Sequence, residues 1–245
     1  MAEHTARLDL IPSVTAAQMR EVDRVVVENF GISLLQMMEN AGRALAELTR
    51  IHLVRLHRRR VVVLAGHGGN GGGGLAAARR LAIWGAEVEV VLARPEAALA
   101  EAPAHQLASL RAMGVPIRDP AEAPSVLPEA DVLLDALLGY SLVGAPREPE
   151  AGLIRAANSH QGPIIALDLP SGLDPDRGLA HDPTIHASRT LALALPKAGL
   201  TRPEAAGVVG ELWLADISVP AAAYAGLVNL GPVFAESDLV RLAKS

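Results

Sequence analysis

The chain of 245 residues contains no cysteine, and only six of its side chains are aromatic, two each of Trp, Tyr and Phe. Without cysteine, disulfide frameworks, thiol catalysis and cysteine-based zinc sites are all excluded. The shortage of aromatic rings argues against a protein that stacks nucleic-acid bases on an aromatic surface. Half of the residues are hydrophobic, and because so few of them are aromatic, the core must consist mainly of Ala, Val, Leu and Ile.

Acidic residues outnumber basic ones, 27 to 22, and lysine is scarce although arginine is plentiful. The formal net charge is −5 at pH 7, and Lys197 and Lys244 are the only lysines. This balance excludes a general polyanion binder, so we expect no nucleic-acid partner. The one basic run, residues 55–60, is interpreted as the C-terminal end of a helix, where cationic side chains complement the helix dipole.

Targeting and membrane-spanning segments are missing as well. Residues 1–4 lack a basic region followed by an apolar stretch, and no apolar run approaches the length of a membrane span. We therefore expect a cytoplasmic protein that has no membrane partner. No linker or repeat divides the chain, so we expect a single domain over residues 1–245.

Two helices are predicted near the N-terminus. Thr15 with Gln18, and Ser33 with Gln36, match the capping box, in which a hydroxyl and a glutamine satisfy each other's backbone amides. Gly31 supplies the break between the two helices. These elements form an N-terminal helical extension to the domain that follows.

From residue 60 onward, strands and helices alternate. The apolar run at residues 61–65 predicts a strand buried on both faces, and a glycine loop and a helix at 74–84 follow it. Further elements are predicted as strands near 88–93 and 115–117, a helix near 97–113, strands centred on 132–135, 164–168, 190–194 and 212–215, and a short closing helix capped by Ser237. The alternation predicts an α/β fold, a three-layer Rossmann-like sandwich with a mostly parallel central sheet.

The loop at residues 66–74 contains seven glycines in nine residues. Glycine lets a ligand approach the backbone closely, and the following helix start offers unpaired amides to a phosphate, although a merely flexible loop is the alternative. A Walker loop is excluded because no Lys-Ser/Thr pair follows. The next strand ends at Arg94 rather than at the acidic residue of NAD dehydrogenases. Arg94 is either a solvated surface residue or a contact for a 2′-phosphate.

Two carboxylates end predicted strands. Asp135 precedes the loop at 136–149, and Asp168 precedes Ser171 in a tight Pro-Ser-Gly turn. In an open parallel sheet, ligands bind beyond the carboxyl ends of the strands, but both residues could instead cap turns. Clustered carboxylates repel one another, so we expect a bound cation or a shared proton between them. With only oxygen ligands, that cation would be a hard one.

This combination of motifs resembles the YjeF N-terminal domain family, whose members are NAD(P)H-hydrate epimerases. The motifs that carry the resemblance are Met-Glu-Asn-Ala-Gly at 38–42, the glycine loop at 66–74, Asp135 with its loop, Asp-Leu-Pro-Ser-Gly at 168–172, Pro-Lys-Ala-Gly-Leu at 196–200 and Asp-Ile at 216–217. The resemblance covers a core of about residues 10–230. It implies an isomerase that interconverts the R and S epimers of 6-hydroxylated NADH or NADPH.

The resemblance also implies a role for individual residues. Asn70, Asp135 and Ser171 would hold a potassium ion. The hydrated dinucleotide would be bound by Asp168, by Asn40, and by Gly69, Asn70, Gly71, Gly72, Gly73, Gly139, Tyr140, Ser141, Leu142, Val143, Gly144 and Ala145. Gln18 would lie near the site together with Asn40. Lys197 is a further candidate, with a surface position as its alternative, and Tyr140 could pack on a ring of the substrate or within its own loop.

Epimerisation at C6 is expected to proceed by loss of hydroxide and its return to the other face, which requires an acid and a base. Asp168 is the candidate catalytic residue because it is the strand-end carboxylate that the cation does not use. The resemblance implies a homodimer in contact through the N-terminal helices. No fused dehydratase domain is expected, so a separate dehydratase would act on the S epimer.

The chain departs from the family in its glycine loop. The family's loop usually reads Gly-Asn-Asn-Gly-Gly-Asp-Gly, whereas this chain has Gly69 for the first Asn and Gly73 for the Asp. Loss of a buried hydrogen-bond partner commonly costs about 1–3 kcal/mol. Two alternatives therefore stay open: a catalytically degenerate module of the same fold that binds a nucleotide or a protein, and an NAD(P)-dependent oxidoreductase.

Overall fold

The computed structural model describes residues 4–243. Lys244 lies outside the described residues, and so do residues 1–3, on which the prediction that the N-terminus holds no targeting segment mainly rests. Residues 4–243 form nine strands and seven α-helices. The strands are β1 (His4–Arg7), β2 (Arg60–Ala65), β3 (Glu87–Leu92), β4 (Ile117–Arg118), β5 (Val132–Ala136), β6 (Ile164–Leu167), β7 (Arg189–Leu193), β8 (Glu211–Ala215) and β9 (Leu239–Ala243). The helices are α1 (Ala16–Phe30), α2 (Leu34–Leu53), α3 (Gly69–Ile83), α4 (Glu101–Ala112), α5 (Ala123–Val126), α6 (Glu150–Asn158) and α7 (Ala206–Val209).

All nine strands belong to one sheet, in the order β1-β9-β8-β7-β6-β5-β2-β3-β4. Neighbouring strands are parallel except for the antiparallel pair β8 and β9. The direction of strand order reverses between β5 and β2, where an open α/β sheet forms a crevice at its carboxyl edge. Asp135 is in register with Leu64 of β2 and Ala166 of β6, so the loops after these three strands leave the sheet side by side.

Helices cover both faces of the sheet, which confirms the predicted three-layer sandwich. Apolar residues of α2, α3 and α4 pack on one face, and those of α6 pack on the other. Trp213 of β8 is buried in the first of these cores, which otherwise consists of aliphatic side chains. No helix in the described part of the chain has the combination of length and apolarity that crossing a bilayer requires.

Both predicted capping boxes at the N-terminal helices are confirmed. The backbone amides of Gln18 and Gln36 donate to the hydroxyls of Thr15 and Ser33, at 3.2 and 3.3 Å. Gly31 ends α1 in the left-handed conformation, with φ of 66°. Helix α1 packs its apolar residues against the segments that follow β7 and β8, so the helical extension covers part of the carboxyl edge of the sheet.

The glycine loop is shorter than predicted, because α3 begins at Gly69 rather than at residue 74. Tertiary packing explains why helical positions carry glycine despite its low helix propensity. A Cβ atom at Gly72 would lie 2.6 Å from the sulfur of Met38, and one at Gly74 would lie 2.5 Å from Cβ of Ala136. These glycines therefore allow α3 to pack closely between α2 and the sheet.

Three other predictions need correction. Helix α2 ends at Leu53, so the basic run at 55–60 does not end a helix; Arg59 instead pairs with Asp131 at 2.8 Å. Ser237 caps no closing helix, because β9 follows it and pairs with β8 through contacts distant in sequence. The ends of several elements also differ: the helix predicted near 97–113 begins as α4 at residue 101, and the strand predicted near 115–117 is β4.

The contact between α2 and α3 yields a test of this packing. A Cβ atom at Gly42 would lie 2.5 Å from Cβ of Ala76 and 2.7 Å from the backbone nitrogen of Ala77. We expect Gly42→Ala to lower the free energy of unfolding by about 1–3 kcal/mol because it overpacks this interface. Elsewhere in a helix the same change would stabilise by up to about 1 kcal/mol.

Thermal unfolding measures the effect of Gly42→Ala, since about 1 kcal/mol shifts the melting temperature of a domain of this size by roughly 2–4 °C. Gly207→Ala in α7 is the matched control, because no atom lies within 4 Å of the added Cβ. A Gly42→Ala protein that melts at or above the wild-type temperature would contradict the close packing.

Candidate functional site

A cleft of about 570 Å³ opens at the carboxyl edge of the sheet, where the strand order reverses. Its walls come from α1, α2, the start of α3 and the segments that follow β5, β6 and β7. The predicted site residues that line it are Gly69, Asn70, Gly73, Gly139, Tyr140, Ser141, Leu142, Val143 and Asp168, together with the further candidate Lys197. The structure thus brings most of the predicted substrate-binding residues into one cavity.

Other predicted residues lie outside this cleft. Gly71 and Gly72 are buried in the first turn of α3, and Gly144 and Ala145 are exposed farther along their loop. Asn40 lines a neighbouring cavity, where its side-chain nitrogen donates to the hydroxyl of Ser218 at 2.7 Å. Gln18 is engaged in the capping box with Thr15.

Asp135 and Ser171 form a fully buried pair beneath the cleft. The hydroxyl of Ser171 donates to Oδ1 of Asp135 at 2.6 Å, and its backbone nitrogen donates to Oδ2 at 2.8 Å. The backbone nitrogen of Leu138 donates to the same hydroxyl at 2.9 Å. Burial raises the pKa of Asp135 to about 6, although the hydrogen bonds that it accepts oppose the shift. The pair joins the loop after β5 to the loop after β6.

Asn70 offers an unused amide at the cleft. Both its side-chain nitrogen and its side-chain oxygen are buried and have no hydrogen-bond partner. The residue lies against Gly139, since a Cβ atom there would be 3.4 Å from Cβ of Asn70. Buried polar atoms are nearly always paired, so this amide is available to bind a ligand, an ion or a water molecule.

Asp168 and Lys197 form a buried ion pair in the cleft wall. The two residues are 3% and 1% exposed, and Nζ of Lys197 donates to Oδ1 of Asp168 and to the carbonyl of Leu193. Asp168 adopts φ of 67°, a left-handed conformation that is uncommon for residues other than glycine, although aspartate is over-represented in it. The alternative of a surface position for Lys197 is wrong, and the ion pair places it beside the candidate catalytic residue.

Tyr140 links the loop after β5 to both sides of the cleft. Its backbone nitrogen donates to Oδ2 of Asp168 at 3.3 Å, and its hydroxyl donates to the carboxylate of Asp23 in α1. Its ring lies 5.4 Å from Nζ of Lys197. Burial raises the pKa of the Tyr140 phenol and that of the Asp23 carboxyl. The ring also packs against apolar residues of other elements, outside its own loop.

Asp23 lines the cleft but was not among the residues predicted from the sequence. A signal was present, because Asp23 lies next to the buried residue Val22, and the apolar stripe of α1 also contains Met19 and Val26. An acidic residue beside such a stripe needs a partner when the helix packs. The sequence, however, does not show which side chain supplies it.

Arg94 is a surface residue, with 38% of its side chain exposed, and it does not line this cleft. Its guanidinium makes two hydrogen bonds of 2.8 Å to the carboxylate of Glu150, which is 3% exposed. Across residues 4–243, no group of three or more His, Cys, Asp or Glu side chains is placed to hold a metal ion. A cation at this edge would therefore need ligands from amides, hydroxyls and carbonyls as well.

Comparisons with known proteins point to one family. Residues 34–199 match the family described as YjeF-related protein N-terminus. The chain is 46% identical to an NAD(P)H-hydrate epimerase from Dehalogenimonas lykanthroporepellens, over 98% of this chain and 97% of that protein. It is 34% identical to an NAD(P)H-hydrate epimerase from Rhodopirellula baltica, over 86% of each chain.

Two further matches concern a longer relative and the fold. The chain is 37% identical to the bifunctional NAD(P)H-hydrate repair enzyme Nnr from Moorella thermoacetica, over 84% of this chain but only 40% of that protein. The crystal structure of yeast ynu0 superposes with a TM-score of 0.81 over 95% of this chain and 100% of the yeast chain. At 24% identity, that likeness shows that the two proteins share a fold.

The two tyrosines of the chain provide a test of the burial at this edge. Tyr140 and Tyr224 both have a pKa raised above the usual value of 10, chiefly by burial, with the charge of Asp23 adding to it. We expect the folded protein to lack the rise in absorbance at 295 nm that tyrosine ionisation produces near pH 10. The protein unfolded in urea should show the full rise from both. A rise in absorbance near pH 10 in the folded protein would contradict the burial of at least one tyrosine ring. The same titration of Tyr224→Phe would then show which of the two tyrosines ionises.

Proposed function

The chain belongs to the YjeF-related N-terminal family, and we propose that it is an NAD(P)H-hydrate epimerase, an isomerase of nicotinamide nucleotide repair. Two relatives of that name match it over most of both chains, so the likeness extends well beyond a single motif. Neither relative bears the name of an oxidoreductase or of a binding protein. The observation that carries the proposal in the molecule itself is the buried Asp168–Lys197 pair in a cleft at the strand-order reversal.

The reaction on hydrated NADH or NADPH begins at C6, which bears the added hydroxyl. The lone pair of the ring nitrogen assists cleavage of the C6–O bond, and a protonated acid converts the departing hydroxide into water. Water then adds to the opposite face of the planar cationic ring and gives one proton to a base. The ring is neither oxidised nor reduced, and the cycle therefore needs only an acid and a base near C6.

We assign the acid and base role to Asp168. Its carboxylate lies in the cleft wall, and its second oxygen, Oδ2, carries only the long contact of 3.3 Å from Tyr140. Lys197 holds Oδ1 and keeps the carboxylate in place. Asp168 can then take a proton from the water that adds on its own face, and it returns that proton to the hydroxide that leaves from the same face in the reverse direction. Solvent water supplies the proton to the hydroxide that leaves from the opposite face, so each turnover consumes and releases one proton.

The start of α3 is proposed to bind the diphosphate of the substrate. Gly69 and Asn70 begin this helix at the cleft, and a helix start presents free backbone amides to an anion. The segment 139–145 forms the opposite side and is proposed to contact the nicotinamide end. At Gly73, a Cβ atom would lie 2.8 Å from Cδ2 of Leu167, so Leu167 occupies the space beside the position where the family has aspartate.

We further propose that Asn70, Asp135 and Ser171 hold a potassium ion. The unpaired amide of Asn70 and the fully buried carboxylate of Asp135 are both groups that a cation would satisfy. Asp135 is bonded to Ser171, whose hydroxyl accepts a hydrogen bond from the Leu138 amide, and Asn70 lies against Gly139. Both groups therefore lie beside the segment 137–139. When bound, the ion would neutralise the buried carboxylate and attract the negative diphosphate toward the start of α3.

The proposed partners follow from the exposed surface and from the reaction. Val27, Phe30 and Leu34 are 39%, 42% and 51% exposed where α1 meets α2, which supports contact with a second copy of the chain in a homodimer. A dehydratase that consumes the S epimer would complete the repair. The match to 40% of a bifunctional repair enzyme supports such a second activity outside the matched segment. The cytoplasmic location stays a prediction from the sequence.

Asp168→Asn tests the catalytic assignment. We expect kcat for interconversion of the R and S hydrates to fall by about 10²–10⁴, because the amide can neither accept nor return the proton. Chromatographic separation of the two epimers over time measures the rate. Asp238→Asn is the control, since this exposed aspartate pairs with Arg43 and does not line the cleft. A wild-type rate in Asp168→Asn would remove the assignment.

Thermal unfolding in potassium chloride or choline chloride tests the ion site. The pKa of Asp135 is raised in the folded state, so without a cation its contribution to stability is present below pH 3.8 and is lost as the pH rises through about 6. The loss amounts to about 3 kcal/mol at most.

Potassium should therefore raise the melting temperature of the wild type more at about pH 7.5 than at about pH 4.5, at equal ionic strength. Asp135→Asn, which carries no charge, should show neither effect of pH nor effect of potassium at this site. An equal response of both proteins to potassium would place the ion elsewhere.

A further inference from the structure

The proposed reaction leaves one carboxylate of the cleft without a role. Asp23 of α1 lines the cleft and accepts a hydrogen bond from the hydroxyl of Tyr140. The two residues are 117 positions apart in the chain, so this contact joins α1 to the loop after β5.

Arg24, the cationic residue that follows Asp23 on α1, is engaged elsewhere. Arg24 donates to Glu21 at 2.6 and 2.9 Å and also pairs with Glu28, on the exposed side of the helix. Asp23 is turned toward the cleft and the phenol of Tyr140 instead. Its carboxylate therefore does not belong to the solvated network of ion pairs along α1.

Tyr140 carries the effect of this contact to the reacting groups. Its backbone nitrogen donates to Oδ2 of Asp168, the oxygen that Lys197 leaves available, and its ring lies 5.4 Å from Nζ of Lys197. Farther along the loop the chain is open to solvent: Ser141, Gly144 and Ala145 are exposed, and Val143 is 88% exposed. Tyr140 thus holds the loop to α1 and to Asp168 just before its exposed part.

We propose that Asp23 is a positioning residue for the epimerisation, which acts through Tyr140 to hold the loop and the Asp168–Lys197 pair in their reactive arrangement. The inference rests on the proposed function of Asp168. A hydrogen-bond acceptor is all that this role requires at position 23, because the phenol is the donor. Asn keeps an acceptor oxygen at the same place, whereas Ala removes it.

The kinetic test uses Asp23→Ala, Asp23→Asn, Tyr140→Phe and the double variant Asp23→Ala/Tyr140→Phe. We expect Asp23→Ala and Tyr140→Phe each to lower kcat by about 10- to 100-fold, since small misplacement of reacting groups has effects of that size. The double variant should lose no more than the worse single variant, because both changes break the same contact. Asp23→Asn should recover most of the wild-type kcat. Glu21→Ala, an exposed position on the same helix, is the control and should leave kcat unchanged.

Three kinetic outcomes would overturn the inference. A loss in Asp23→Asn equal to that in Asp23→Ala would mean that the charge or proton of Asp23 is needed in the reaction. Losses that multiply in the double variant would mean that the two residues act independently. A wild-type kcat in Asp23→Ala, with only a lower melting temperature, would leave Asp23 a purely structural role.

Hydrogen exchange of the Tyr140 backbone amide provides a readout that does not depend on turnover. Asp23→Ala and Tyr140→Phe should accelerate exchange at residue 140, whereas Asp23→Asn and Glu21→Ala should not. Unchanged exchange in Asp23→Ala would contradict the positioning role even if its kcat were reduced. If the wild-type protein did not accelerate epimerisation at all, the proposed function would fail, and the exchange measurement would still decide whether Asp23 fixes the loop.

Discussion

The buried ion pair between Asp168 and Lys197 is the interaction on which the arrangement of the cleft depends. Each residue follows one of two neighbouring parallel strands, β6 and β7, and both are almost fully excluded from water. Removal of either partner would leave an uncompensated buried charge, which commonly costs about 3–5 kcal/mol. The left-handed backbone of Asp168 persists because the surrounding contacts hold the carboxylate toward the lysine.

Similar polar contacts continue along the carboxyl edge of the sheet. The Asp135–Ser171 pair joins the ends of β5 and β6 beneath the cleft, and the Asp168–Lys197 pair joins β6 to β7 in its wall. Tyr140 connects the loop after β5 to Asp168 and, through its hydroxyl, to α1. The faces of the sheet are thus aliphatic, whereas the polar residues of the site lie at its carboxyl edge. The contacts that shape the cleft also link the helical extension to the strands.

Much of the fold was predictable because its signals are local. The capping boxes at Thr15 and Ser33 are set by residues three positions apart, and the apolar run of β2 marks a buried strand without reference to the rest of the chain. The place of Asp135 and Asp168 at the site was also predictable, since parallel strands bring their carboxyl ends to one edge of the sheet. The predictions that failed concern features that depend on contacts between distant residues. Helix α3 begins among glycines because α2 and the sheet pack closely against it, and a strand follows Ser237 because it pairs with β8.

The rotation of the N-terminal helices was a further feature that the sequence did not reveal. Met37 and Ala41 of α2 face the cleft, whereas Asn40, between them, faces the neighbouring cavity. Which face of a helix meets a site depends on how its side chains pack on the other elements, not on its own periodicity alone. The same limit explains why Asp23 was missed, because its partner Tyr140 lies in a loop more than a hundred residues away.

We propose that this cleft accelerates exchange of the hydroxyl at C6 between the two faces of a hydrated nicotinamide ring. The most direct measurement is the conversion of the purified R hydrate of NADH into the S hydrate by the wild-type protein, followed by chromatography against the spontaneous rate. The measurement is made with and without potassium. We expect an R and S mixture to form faster than in the absence of protein. A rate equal to the spontaneous one under both conditions would contradict the claim and favour a protein that binds the dinucleotide without turning it over.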